Sequence, residues 1–316
     1  MVSRTLVFAT LSAAFAGPLL PQSPQAPSSP VPAATYNRTI FQNPIPSDQL
    51  RFLIQFDGSP ANGLIRDKQF RKLMRSVLPD CVFHYGRDMP LADAVDEVIK
   101  GSPLPVRIRD GRYVMVAGRM GPYLGGRGFV WFDIQDGIAL GGFYFHPTNG
   151  EPTPALNIFS KQVKEDARAM SQLPPAFSED LWQWSAQSRV PPVVARYFIT
   201  GANKKILLEH DEDYCAPPAG AIPSEAPGPP QNICQQMNAD AADLDLVAAY
   251  YLEQTHHVTN ATAWMITNPE ATAWIQVRNS TCSAGPDPMG CRIVMTRERT
   301  HLIIRGRVGW RPQAHP

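Results

Sequence analysis

Four of the chain's five cysteines fall in its last third, at Cys215, Cys234, Cys282 and Cys291. Thiols gathered in a short helical segment are the raw material of disulfide staples, provided the compartment is oxidising. Two intramolecular bridges are expected among these four, and their pairing is open. If Cys215 joins Cys234, it ties off a proline-rich loop. If it joins Cys282 or Cys291, it tethers one region of the chain to another. Cys81 is then the odd thiol, and its apolar neighbours Val82 and Phe83 point to burial rather than cross-linking.

Catalytic chemistry is harder to find. His84 and His146 lie far apart, and neither sits in a recognisable motif. A secreted hydrolase could pair either with a carboxylate such as Asp133, but no residue is assigned a catalytic role. His210 is followed by Asp211-Glu212-Asp213, which reads as a cation site or as a solvated acidic linker. Carboxylates without converging geometry do not fix a metal, so the linker is the preferred reading. No metal and no cofactor is expected. Gly125-Gly126-Arg127-Gly128 has neither the lysine nor the strand–loop–helix context of a phosphate loop, and it reads as a turn before a strand. There is no Gly-x-Ser-x-Gly elbow.

The N-terminal end supplies the compartment. Arg4, the apolar run Leu6 to Phe15 and Ala14-Phe15-Ala16 make residues 1–16 a secretory signal. The run is well short of the roughly 20 residues a membrane span needs, and no later segment reaches that length. No cysteine follows the cleavage site, so a lipid anchor is not expected. The protein is therefore expected in the periplasm or outside the cell. Residues 17–40 form a proline-rich spacer with too little apolar surface to offset its ordering entropy. A formal net charge of +1 gives no electrostatic case for nucleic acid as a partner.

The elements that must position these groups divide into two parts. Residues 41–211 alternate helix and strand signals. Leu50 to Phe56 reads as a short strand ended by Asp57-Gly58. Ala61 to Val77 reads as one helix with Leu64, Phe70, Leu73, Met74 and Val77 at helical spacing. Pro90 to Ile99 is a second helix. Asp110-Gly111 and Asp136-Gly137 mark two hairpins. Ala155 to Phe159 reads as a strand passing into a helical stretch, Glu179 to Ser188 as a helix, and Thr200 to Asn203 as the turn of a third hairpin. The class expected is α+β, an antiparallel sheet with helices on one face.

Residues 212–303 read as a small disulfide-stapled helical domain, followed by a tail, 304–316. A Pro/Gly/Ala insertion fills 216–231. Asn238 to Thr255 is amphipathic, with Asp240, Asp243 and Asp245 toward its N-terminal end. Pro269 starts the next helix, which carries Trp274 and Arg278 four residues apart, close enough for the guanidinium to lie over the indole. A last helix from about Gly290 carries Arg297 and Arg299.

The order of these pieces carries a resemblance. A cysteine precedes Ala241-Ala242-Asp243-Leu244. Ala273-Trp274-Ile275-Gln276-Val277-Arg278 leads to Cys282, and Cys291 leads to Thr296 and Arg299. This is similar to the LprI-type lysozyme-inhibitor domain of bacterial envelope proteins, over roughly residues 212–303. Here Asp243-Leu244-Asp245 stands where that family has Asp-x-x-Leu-Asn, and the insertion is long. The resemblance implies stoichiometric inhibition of a lysozyme-type muramidase, with no catalytic group of the inhibitor's own. Trp274, Arg278, Arg297 and Arg299 are the candidate contacts, facing a carboxylate-lined cleft; the alternative is that Trp274 and Arg278 hold the small core together. A general envelope-binding module, with another protein or ligand as partner, is the other reading. Residues 41–211 resemble no family.

Overall fold

A computed structural model describes residues 36–84, 88–119, 126–147, 150–163, 169–210, 212–216, 230–253 and 268–306. The expected signal, the spacer up to residue 35, Asp211, most of the proline-rich insertion and the last ten residues of the tail lie outside the described residues.

Turn chemistry organises the sheet. Asp110 and Gly111 both take positive φ, 56° and 62°, so β3 (Arg107–Arg109) folds directly back as β4 (Tyr113–Arg119). Gly137, at φ 66°, turns β5 (Arg127–Asp133) into β6 (Ile138–Phe145). A Cβ there would stand 2.2 Å from the Ile45 carbonyl oxygen, so the position admits only glycine. β7 (Ala155–Phe159), β8 (Ala195–Ile199) and β9 (Lys205–Leu207) complete seven strands in the order β3-β4-β5-β6-β7-β8-β9. A separate pair, β1 (Val82–His84) with β2 (Asp88–Pro90), lies outside this sheet.

The α+β class stands, with two differences in detail. The β7–β8 ladder is parallel, because the connection between them crosses the sheet through a helix instead of turning back. Helices also cover both faces. Short α1 (Ser47–Leu50) and α2 (Ala61–Leu64), with α3 (Lys68–Val77) and α4 (Leu91–Lys100), pack on Val114, Val116, Val130, Phe132 and Phe143. The crossover helix α5 (Pro175–Gln187) packs Phe177, Leu181 and Trp184 on the opposite residues, Phe129, Trp131, Leu140, Leu156 and Phe198. A sheet covered on both sides buries successive residues, and every residue of β6 is buried.

Two local readings are corrected. Leu50 to Phe56 is not a strand: α1 runs into a 3-10 helix, Arg51–Phe56. Its fully buried residues, Leu50 and Leu53, are three apart, a spacing that suits three residues per turn and not the alternation of a strand. The stretch 61–77 is two helices, because the Asp67 carboxylate accepts from the backbone N–H groups of Gln69 and Phe70 and starts α3 afresh. The helical stretch expected after β7 appears among the described residues only as a 3-10 turn, Met170–Gln172.

The C-terminal region is α6 (Gln231–Glu253), α7 (Pro269–Ser283) and α8 (Pro288–Ile304). Asn268 and Asp287 cap α7 and α8, each with a proline in the first turn. α6 lays Leu246, Ala249 and Tyr250 on Ala155, Ala195, Tyr197 and Leu207, so the helices cover the β7–β9 end of the sheet and share an apolar core with it.

Candidate functional site

The helical region converges on one indole. The guanidinium carbons of Arg278 and Arg299 stand 5.4 and 5.7 Å from the Trp274 ring. Both arginines spend their donors inside the region. Arg278, 5% exposed, donates from one terminal nitrogen to Asp243 Oδ1 at 2.7 Å and to Thr296 Oγ1 at 2.9 Å. Its remaining nitrogens reach Asn279 Oδ1. Arg299 donates to the Tyr250 hydroxyl and to Glu270 Oε1 at 2.6 Å. Arg292 closes on the other Asp243 oxygen. Asp243 on α6 thus binds α7 and α8 together through two guanidiniums. Arg297 stands apart from the cluster and makes a long contact with the Glu212 carbonyl, 3.5 Å.

Two disulfides close the region. Cys215 pairs with Cys234 across the proline-rich insertion, and Cys282 pairs with Cys291 across the α7–α8 turn. Their Cα separations, 4.9 and 5.4 Å, are ordinary for cystines. Of the pairings the sequence left open, this is the one that ties off the insertion and leaves no bridge to the sheet. Sulfur gathers further at the second bridge, where Met295 Sδ lies 3.6 Å from Cys282 Sγ and 3.9 Å from Cys291 Sγ. Cys81 is a free, partly buried thiol, pushed up to about 11 by burial and drawn back in part by Lys205. Of the two neighbours that pointed to its burial, Phe83 is buried and Val82 is exposed.

Among the described residues, His210, Glu212 and Asp213 do not converge on a cation site. His210 is buried and turns to α6, where its backbone N–H and its Nδ1 meet the two Asp245 oxygens at 2.7 and 2.6 Å. Glu212 pairs with Arg196 instead, and Asp213 accepts from Asn238 and from the Cys215 backbone. Asp243 and Asp245 therefore divide their work: one holds the helices to each other, and the other docks α6 on the segment that follows β9. Sequence spacing signalled neither link, because the partners are 35 residues apart in both.

The His146–Asp133 pair considered for hydrolysis does not assemble. Asp133 ends β5, locked by Arg112 at 2.6 and 2.7 Å, and accepts from Gln135 and Asp136 backbone groups as well. His146 lies beyond the opposite end of β6, joined to Tyr144 and Thr153. Eight residues of extended strand put about 25 Å between them. His84 is on β1, and its side chain lies outside the described residues.

One cleft, of about 450 Å³, opens between edge strand β3 and α5. Asp180 anchors it by accepting from Trp131 Nε1 at 2.7 Å and from Arg109 at 3.2 Å. Tyr113 stacks on Trp131 while Arg109 and Arg112 lie over its ring, at 4.8 and 4.9 Å. Both the carboxylate and the neighbouring aromatic ring are thus already engaged, and what remains open on the rim is Arg107 and Gln183. The sequence carried no local sign of this cleft, since its walls come from segments some 70 residues apart.

No helix is long and apolar enough to cross a membrane, and no group of three or more potential metal ligands converges, among the described residues. Comparison with family models, with curated proteins and with solved structures finds no match.

Proposed function

We propose that this is an exported, non-catalytic binding protein of the bacterial envelope, that its disulfide-closed helices dock on another protein, and that the partner is a lysozyme-type muramidase. What supports this reading is the meeting of the residues that carry the resemblance. Trp274, Arg278, Thr296 and Arg299 are dispersed over two helices and form one cluster, in a region closed by two cystines. Two cystines also fit an oxidising compartment.

The arginines act here as positioning groups. With their donors taken by Asp243, Thr296, Glu270 and Tyr250, they fix α7 against α8 and leave contact to what those helices expose. Val277 and Val294 are 57% and 55% exposed, large apolar side chains of the kind that anchor a protein interface. Inhibition by such a surface is occlusion, and it needs rigidity more than reactive chemistry.

The test uses the whole protein, because α6 shares its core with the sheet. Near-equimolar protein should slow lysis of a peptidoglycan suspension by lysozyme, and Val277→Asp with Val294→Asp should relieve the effect. Undiminished lysis at a large molar excess removes the muramidase from the proposal. The β3–α5 cleft favours a second reading, a module that takes a small envelope ligand between Arg107 and Gln183. That reading expects a captured ligand that Arg107→Ala releases, with no effect on lysozyme.

A further inference from the structure

α3 carries a charge pattern that its own stability does not explain. Phe70, Leu73, Met74 and Val77 face the core. The other side exposes Lys68, Arg71, Lys72 and Arg75, with Arg66 in the turn just before. These four are spaced i, i+3, i+4 and i+7, so they form one stripe about 10 Å long. No acidic residue stands in the first turn, where a helix favours one, and Lys68 sits there instead. Each neighbouring pair in the stripe repels. Asp67, the nearest carboxylate, is occupied by the backbone N–H groups of Gln69 and Phe70. None of the five cations is in an ion pair among the described residues. In a chain of net charge +1, this is a strong local excess.

We infer that the outer face of α3 seats the protein on a bilayer surface rich in anionic phospholipid headgroups. The stripe runs along the exposed side of a helix whose other side is packed into the core, which suits a plane more than a strand or a knob. It exposes no aromatic ring on which a nucleic-acid base could stack. It also has no apolar centre of the kind that protein interfaces use, and lysines are depleted at such centres. A bilayer asks only for charge. Because the apolar side of α3 is committed to the core, the helix cannot insert, and attachment is electrostatic, reversible and screened by salt. Each cation near an anionic surface strengthens partition by roughly fivefold.

Co-sedimentation of the purified protein with vesicles tests this. Vesicles of phosphatidylglycerol mixed with phosphatidylcholine should carry the protein down at low salt, and vesicles of phosphatidylcholine alone should not. The quadruple variant K68Q/R71Q/K72Q/R75Q should lose more than tenfold in partition, while the charge-conserving R71K/R75K pair should bind as the parent does. The neutral variant is expected to fold, since it changes only exposed side chains and relieves the repulsions among them, and circular dichroism checks that it does. Failure of the parent to bind anionic vesicles overturns the inference. So does equal binding by the folded neutral variant, and so does binding to an acidic polypeptide or a single-stranded polyphosphate without binding to vesicles. Lysozyme is absent throughout, so the outcome is independent of the muramidase proposal.

Discussion

The sheet and the C-terminal helices solve the same problem with different materials. Under the sheet, stability comes from size: Trp131, Phe129, Phe132, Phe143, Phe159, Phe177 and Phe198 are all fully buried. Among α6, α7 and α8 the buried set is weighted to small and polar residues, Ala239, Ala241, Ala242, Ala248, Ala249, Ala271, Arg278, Thr296 and Thr300, beside a few larger ones such as Leu246, Tyr250 and Ile303. Small side chains remove little apolar surface from water. The helices therefore rely on directed polar contacts and covalent closure, and they borrow the apolar surface of β7 to β9 through α6. A region too poor in apolar area to hold itself is made rigid by geometry, and rigidity is what a binding face needs.

The contrast can be broken most forcefully from the sheet side. Trp131→Ala removes a fully buried indole packed on Tyr113 and Phe177 and strips Asp180 of its best donor. A loss of about 4 kcal/mol is expected in urea denaturation, with sheet and helices unfolding together. Removing Cys215–Cys234 or Cys282–Cys291 by paired serine substitution should cost about 3 kcal/mol each. Here the loss should be local: amide exchange should quicken in the helices each bridge ties, the start of α6 for the first and α7 and α8 for the second, well before it does in β5 and β6. Uniform quickening across both regions would erase the distinction drawn above.

Arg278→Met probes the polar share of the helical core. A cost of about 2 kcal/mol is expected, below the range for a fully buried pair because Asp243 is 30% exposed and keeps Arg292. Thermal melts should register the loss, and inhibition or partner binding should weaken with it. A stability unchanged from the parent would mean that the two cystines alone hold the helices.

The smallest effect concerns the fifth thiol. Non-reducing alkylation followed by mass measurement should find one free cysteine per chain, at Cys81. With its thiol at about 11 and an ordinary value near 9, Cys81 should react with iodoacetamide at mild alkaline pH about a hundredfold more slowly than an exposed cysteine. The folded state holds this proton more tightly than the unfolded state does. Its contribution is therefore constant below pH 9, and stability declines as pH rises from 9 towards 11. A rise over that window would place Cys81 in an environment that favours thiolate.

Much of the architecture was legible because it is local. The Asp-Gly turns at 110 and 136, the helix over residues 91–100 and the proline start at 269 rest on contacts within a few residues. The misread segment, Leu50 to Phe56, is a short apolar run whose alternatives differ only in what it packs against. At the candidate site, the Trp274–Arg278 pair followed from helical spacing. That Arg299 takes the second place beside the indole depends on how α8 lies across α7, and no spacing along the chain contains that.

The sequence by itself determined most of the element types, the cysteine inventory and the split between an α+β part and a cysteine-bearing helical part. These follow from backbone conformation and from apolar periodicity, which act over one or two turns. Only the tertiary structure decided the cystine pairing, the parallel β7–β8 ladder, the attachment of His210 to Asp245 and the inward turn of the arginines. Each of those joins groups far apart in the chain, and their encounter is set by which faces the whole molecule buries, a choice that no single stretch of residues makes alone.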